Sequence, residues 1–208
     1  MAGDDYVDGD RGRDSLNGDE GNDSVYGGAD DDTVAGGVGN DLLFGDDGDD
    51  PMSGDSGTDT LTGGQGADTA NGGDGGDYVY GADGADRLQG NAGQDYVFGG
   101  AGGDSLWGGK DSDTLYGEDG NDRLSGDLGV DALIGGAGAD TFVFRRGFGT
   151  DWISNFNFAE GDRVELAAGM TFTVTTYLGQ TVLDFGGGDT LGFGASDVAF
   201  NASWIVFA

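Results

Sequence analysis

From Gly9 to Val143 the sequence repeats one nine-residue phrase without losing register, and any fold for this chain has to repeat with it. The first copy, Gly9-Asp10-Arg11-Gly12-Arg13-Asp14-Ser15-Leu16-Asn17, reads Gly-x-x-Gly-x-Asp-x-apolar-x, and 15 copies follow one another with nothing between them. Position one is Gly and position six is Asp in all 15 copies. Position eight is always apolar, from Leu16, Val25 and Val34 to Phe142, with Ala70 the smallest. A fixed period held this far marks a repeat architecture in which the phrase is the structural unit.

Each position has a physical task. Gly at positions one and four, the latter in 13 of 15 copies, suggests positive backbone torsions in a tight turn. The exceptions at position four are Asp30 and Asp111, and Asp tolerates the left-handed region better than most residues. Positions seven to nine, such as Tyr78-Val79-Tyr80, suit a very short strand whose central residue faces inward. One phrase is then a turn plus a strand, and two phrases make one full coil.

Equivalent residues two phrases apart therefore stack, and the acidic positions form two columns of turns. One column holds Asp14, Asp32, Asp50, Asp68, Asp86, Asp104, Asp122 and Asp140; the other holds Asp23, Asp41, Asp59, Asp77, Asp95, Asp113 and Asp131. Coils in a parallel stack lie about 4.8 Å apart, so these carboxylates repel unless a cation sits between them. Carboxylate and turn-carbonyl oxygens are hard ligands suited to calcium, and the chain has no Cys or His for a softer metal. One ion between neighbouring turns gives about 13 calcium ions, and up to about 15 with Asp5 and Asp151 as additional ligands. About 13 divalent ions offset most of a net charge of -32 that otherwise opposes compaction.

The phrase resembles the RTX nonapeptide Gly-Gly-x-Gly-x-Asp-x-apolar-x. The resemblance implies a calcium-filled parallel β-roll in which the sixth-position Asp supplies a carboxylate and the preceding turn residues supply carbonyls. Carried onto this chain, that role falls on the 15 Asp residues named above. The expected fold is all-β: a right-handed parallel β-roll, a solenoid with about 18 residues per coil. The roll is expected over 1–143, with a short β-rich C-terminal cap over 144–208.

Composition narrows the partners. With 48 Gly and one Pro, an aperiodic chain of this kind would be disordered; the period argues for order. The acidic balance excludes nucleic acid and anionic membrane surfaces as partners, and nothing in the sequence suggests membrane insertion. Gly3, Asp5 and Val7 hold positions four, six and eight in phase with Gly9, so the chain reads as a piece of a longer protein. Asp50-Pro51 places a residue without an N–H at an outward strand position, where it breaks one ladder bond.

After Val143 the period fails. Gly149, Asp151 and Ile153 keep positions four, six and eight, in a displaced phase. Asp162–Leu166, Thr171–Tyr177, Gln180–Phe185 and Asp189–Phe193 alternate like short antiparallel strands, with Leu178-Gly179 as a hairpin turn. This tail resembles the segment that follows the repeats in serralysin-type proteases and alginate epimerases. Gly138–Phe144, Asp151–Phe156, Glu160–Val164 and the apolar end Trp204–Ala208 carry the likeness. It implies a cap, an uncleaved type I secretion signal, the type I secretion machinery as a partner, and a secreted, extracellular location.

The two strand faces differ. Even-numbered copies line up Tyr26, Phe44, Tyr80, Phe98 and Tyr116 at position nine, with Tyr78 and Tyr96 at position seven; odd-numbered copies are mostly polar there. This aromatic ladder either stabilises its sheet by stacking or docks a glycan or a self-association partner. No catalytic constellation stands out: without His or Cys most nucleophile and base pairs are missing, and carboxylate pairs are too common here to be informative. The chain is expected to be no enzyme but a calcium-induced folding module of a bacterial protein exported by a type I system. Alternatives are an adhesive or polysaccharide-binding surface module, or the accessory part of a secreted protease, lipase or epimerase.

Overall fold

The computed structural model describes residues 2–177, 180–194 and 201–208. The chain winds as a parallel β-solenoid in which each repeat strand pairs with the one two phrases further on, as in Val25 beside Leu43 and Leu43 beside Leu61. Even copies build a 12-stranded sheet, here the aromatic sheet, and odd copies a 10-stranded one, the polar sheet. Position-eight side chains of both sheets meet between them, and from Val25 to Phe142 every one is buried.

The strands run beyond positions seven to nine. Ser15–Glu20, Ser24–Ala29 and their successors span positions seven, eight, nine, one, two and three. Position one thus lies within the strand, so turn torsions do not explain its glycine. Side chains alternate along a strand, so position eight points inward and position one does so again. There the interior has no space for a side chain: a Cβ on Gly27 would stand 2.7 Å from the Gly45 carbonyl oxygen and 2.8 Å from Oδ2 of Asp32. Positive torsions belong instead to positions two and four. Position two is left-handed at Asp10 (φ 66°), Asp46 (72°) and Gly64 (121°), and even at Ala82 (80°) and Glu118 (74°).

A ladder of polar side chains ties the turns together at position five. The Asn40 amide N–H donates to Oδ1 of Asn22, Thr58 to Asn40, Ala67 to Asp49 and Ala139 to Asn121, at 2.8 Å each. Ala85 occupies this position in the middle of the stack and offers no acceptor to the next coil. Ala85→Asn is therefore expected to raise stability by about 1 kcal/mol, read as a higher unfolding midpoint at fixed calcium. The proline has its expected effect: Val34↔Met52 opens the pairing between Thr33–Val38 and Pro51–Ser56, and Thr33 and Pro51 are not partners.

Both sheets continue past Val143. In the polar sheet, Thr141–Phe144 pairs in parallel with Arg163–Leu166, which pairs in parallel with Ile205–Phe207. In the aromatic sheet, Ala132–Ala137 is followed by Thr150–Ser154 and then Asp189–Phe193, again in parallel. The expected antiparallel pairing holds for Thr173–Tyr177, Gln180–Gly186 and Asp189–Phe193 among themselves. Arg163–Leu166 departs from it, because Val164 and Leu166 extend the inward columns of Phe142 and Phe144. The Leu178-Gly179 turn lies outside the described residues. Beyond the last coil, Phe156 packs on Phe142, Phe193 and Trp204 at 5.9, 5.3 and 5.2 Å between ring centroids and closes this end of the core. Arg123 clamps Glu165 with two bonds of 2.7 and 2.8 Å, and Arg145 joins at 3.5 Å.

Candidate metal centre

The sixth-position aspartates stand where the columns place them, one per turn along each edge of the solenoid. From Asp23 onward each receives the same contact from the coil before. The amide N–H of Asp14 donates to Oδ1 of Asp32 at 2.8 Å, Asp32 to Asp50 at 2.7 Å, and so on to Asp122 and Asp140 at 3.0 Å. The second column begins at Asp5, whose N–H donates to Oδ1 of Asp23 at 2.7 Å, and it runs through Asp41, Asp59, Asp77, Asp95 and Asp113 to Asp131. Asp151 then accepts from the Asp131 N–H at 3.3 Å, so the phase-shifted turn does extend this column.

From Asp23 to Asp140 the other carboxylate oxygen has no partner among the described residues. Oδ2 of Asp5, of every repeat aspartate from Asp23 to Asp140 and of Asp151 is buried and accepts no hydrogen bond. Asp14, in the first full coil, is only partly buried. A row of buried, unpaired carboxylate oxygens is too costly to stand by chance. Those of the repeat aspartates face the space in front of the position-one glycine, which the neighbouring coil's carbonyl oxygen also borders, as at Gly27. Among the described residues no three acidic side chains converge. The donors available to a cation are one carboxylate per turn together with backbone carbonyls, an all-oxygen set that fits calcium.

Sequence reasoning missed Asp162. It takes the place after Asp140 in the first column, with Oδ1 accepting the Asp140 N–H at 3.0 Å. Unlike the others, its Oδ2 is also satisfied, by the Asn157 N–H at 2.7 Å. Asp162 thus closes the column with hydrogen bonds alone. Its signal was readable: it precedes the buried Val164 at the same offset by which each repeat aspartate precedes its apolar residue.

Burial makes the repeat carboxyls from Asp41 to Asp140 hard to ionise, and for most of them neighbouring carboxylates add to it. Together they push Asp113 up to about 8, Asp59, Asp68 and Asp122 to about 7, and Asp86, Asp95 and Asp140 to about 6. Asp151 reaches about 9, through burial and then the charge of Asp131. Raised pKa values mean that the folded, metal-free chain binds protons more tightly than the unfolded chain. Its stability therefore grows as pH falls through these values, and the gain is complete below the unfolded value near about 4. A cation held by these oxygens would compete with protons for them. More calcium is expected for half-saturation at about pH 5.5 than at about pH 8, and isothermal titration at the two values checks this.

This geometry defines a class: a repetitive β-solenoid with a row of buried, unpartnered carboxylate oxygens along each edge. Residues 1–34, 26–61, 53–88, 71–106, 80–115, 107–142 and 116–153 match the RTX calcium-binding nonapeptide repeat (4 copies). The chain belongs to this family, and its repeats form a calcium-binding structural module. It is similar to the solution structure of the AlgE6R3 subunit from the Azotobacter vinelandii mannuronan C5-epimerase, at 30% identity and a TM-score of 0.45, over 55% of this chain and 78% of that one. It is also similar to the crystal structure of the extracellular lipase LipA from Serratia marcescens, at 19% identity and a TM-score of 0.36, over 91% of this chain but only 40% of the lipase. No curated protein matches the chain. No helix among the described residues is long and apolar enough to cross a membrane.

Proposed function

We propose that calcium folds this chain, and that it is the folding and stabilising module of a bacterial protein secreted by a type I system. The observation that carries the reading is the double row of buried carboxylate oxygens without protein partners. Asp14, Asp23 and their repeat equivalents through Asp140 are the proposed ligands, with Asp5 and Asp151 extending the second column at its two ends. About 13 to 15 ions lie between successive turns. At submicromolar cytosolic calcium the unneutralised columns keep the Gly-rich chain open, which suits passage through a narrow channel. Extracellular calcium near millimolar then drives the coils to stack. Residues 1–143 are the roll; residues 144–208 cap it and carry the export signal.

Export tests the last point. A passenger joined to the full chain is expected in the medium of a host with a type I exporter, and removing residues 144–208 is expected to leave it inside the cell. Export of the truncated fusion at the full rate would overturn the signal assignment.

The ladder geometry favours stabilisation over glycan docking on the aromatic sheet. Tyr80 and Phe98 stack at 4.7 Å between centroids, and Phe98 and Tyr116 at 4.9 Å with planes 1° apart. Tyr26 on Phe44 and Tyr78 on Tyr96 follow the same pattern. Phe98 thus has a stacked ring against both faces, and Phe44, Tyr78, Tyr80, Tyr96 and Tyr116 each have one against a single face, whereas a sugar needs an open face. Tyr80→Ser with Phe98→Ser is expected to cost about 1–3 kcal/mol of stability while leaving binding to a glycan array unchanged.

A further inference from the structure

Among the described residues, the aromatic sheet ends on an edge strand, Thr173–Tyr177, that pairs with Gln180–Gly186 on one side only. Thr173, Val174, Thr175 and Thr176 are all exposed in succession, so no described residue covers either face of this stretch; Val174 is 45% exposed. Soluble proteins usually blunt such an edge with a charge, a proline or a bulge. This strand has none of these. It also lies within an unbroken stretch, Leu166 to Leu183, without a single charged side chain, in a chain that has 40 acidic residues. Its β-branched Thr and Val have the highest propensity for pairing.

We infer that Thr173–Tyr177 is a self-association edge, and that two copies of this chain join tail to tail by antiparallel pairing of this strand. Two acidic molecules repel over most of their surfaces, and the uncharged tail is where that repulsion is weakest. Antiparallel self-pairing centred on Thr175 sets Val174 opposite Thr176 of the second copy, giving β-branched neighbours across the strands. The pairing is related by a two-fold axis, uses both free edges and closes on itself, so it makes a dimer and not a fibre. The aromatic sheet would then run unbroken through both molecules. A five-residue edge buries little area, which places the contact among weak, concentration-dependent interfaces of less than about 1,200 Å².

Sedimentation equilibrium of the full chain in millimolar calcium, from about 1 µM to about 1 mM, tests this. The unaltered protein is expected to move from monomer toward dimer mass as concentration rises. Thr175→Lys, which sets two like charges opposite one another, is expected to remain a monomer over the whole range, and Val174→Glu to do the same. Thr33→Lys, an exposed change on an interior strand, is expected to dimerise as the unaltered protein does. Far-ultraviolet circular dichroism of the same samples separates loss of pairing from loss of fold. An unaltered protein that stays monomeric at every concentration overturns the proposal and leaves the edge to a strand of some other protein. Folded Thr175→Lys and Val174→Glu variants that dimerise normally overturn it as well.

Discussion

In chelator at neutral pH the chain is expected to lose its β-sheet signal and to expand toward the radius of gyration of an unfolded chain of its length, roughly 50 Å. The expectation follows from the interior of the turns. With the ion removed, the buried Oδ2 oxygens from Asp23 to Asp140 have only two options. They can ionise without a partner, or they can take up protons, although neutral pH is near or above the raised pKa values of Asp59, Asp68, Asp86, Asp95, Asp122 and Asp140. Both disfavour the stacked state, and the Gly-rich backbone gains more freedom on opening than most chains do. Returning calcium to the millimolar range should restore structure cooperatively, because each coil is bordered by its neighbours and shares their turns. Circular dichroism and small-angle scattering during a calcium titration check both parts. A spectrum and a radius that do not change between chelator and calcium would overturn the coupling of binding to folding.

Gly81→Ala is expected to be the most damaging change of a single carbon. Gly81 has an ordinary torsion, so backbone strain is not the reason. A Cβ there would collide with Oδ2 of Asp86 and lie 2.5 Å from the Gly99 carbonyl oxygen, filling the space in which the proposed cation would meet both donors. The expected outcome is the loss of one calcium per chain and about 2–4 kcal/mol of stability, although every carboxylate is retained. Gly103→Ala is the control. It also has an ordinary torsion, and its nearest neighbour is the Asn121 carbonyl oxygen at 3.6 Å. That substitution is expected to leave stoichiometry intact and to change stability by less than about 1 kcal/mol, in the stabilising direction. Metal analysis by mass spectrometry and unfolding midpoints read both variants. Equal effects of the two would mean that the space before position one is not where calcium binds.

Much of this architecture was legible because each phrase position does one task in every copy. Leu16, Val25 and their equivalents announced the inward columns, and the even spacing of the Asp series announced the turns. The reason for the glycines was partly misread. Position one looked like a turn glycine because turns are where glycine most often appears, whereas here a carbonyl and a carboxylate of the packed stack exclude a side chain. Position two hid its positive torsion because Asp, Asn, Ala and Glu occupy it in eight of the 15 copies, from Asp10 to Asp127. The tail was harder to read. Its strands rejoin both sheets through insertions that break the period, so the step from Asp131 to Asp151 is 20 and that from Asp140 to Asp162 is 22, against 18 between repeats. The phrase Gly149-x-Asp151-x-Ile153 survives the first shift and reveals Asp151, whereas no such phrase surrounds Asp162. Only the pairing of Thr141–Phe144 with Arg163–Leu166 brings Asp162 beneath its column.

The central claim, that sixth-position aspartates of successive coils hold calcium between them, is tested most directly by anomalous diffraction from crystals grown in calcium. The account predicts two rows of peaks, one along each edge of the solenoid. Each peak should lie beside an Oδ2 oxygen that has no protein partner, with neighbours in a row about 4.8 Å apart. Peaks confined to the exposed acidic side chains, with none between the turns, would contradict it.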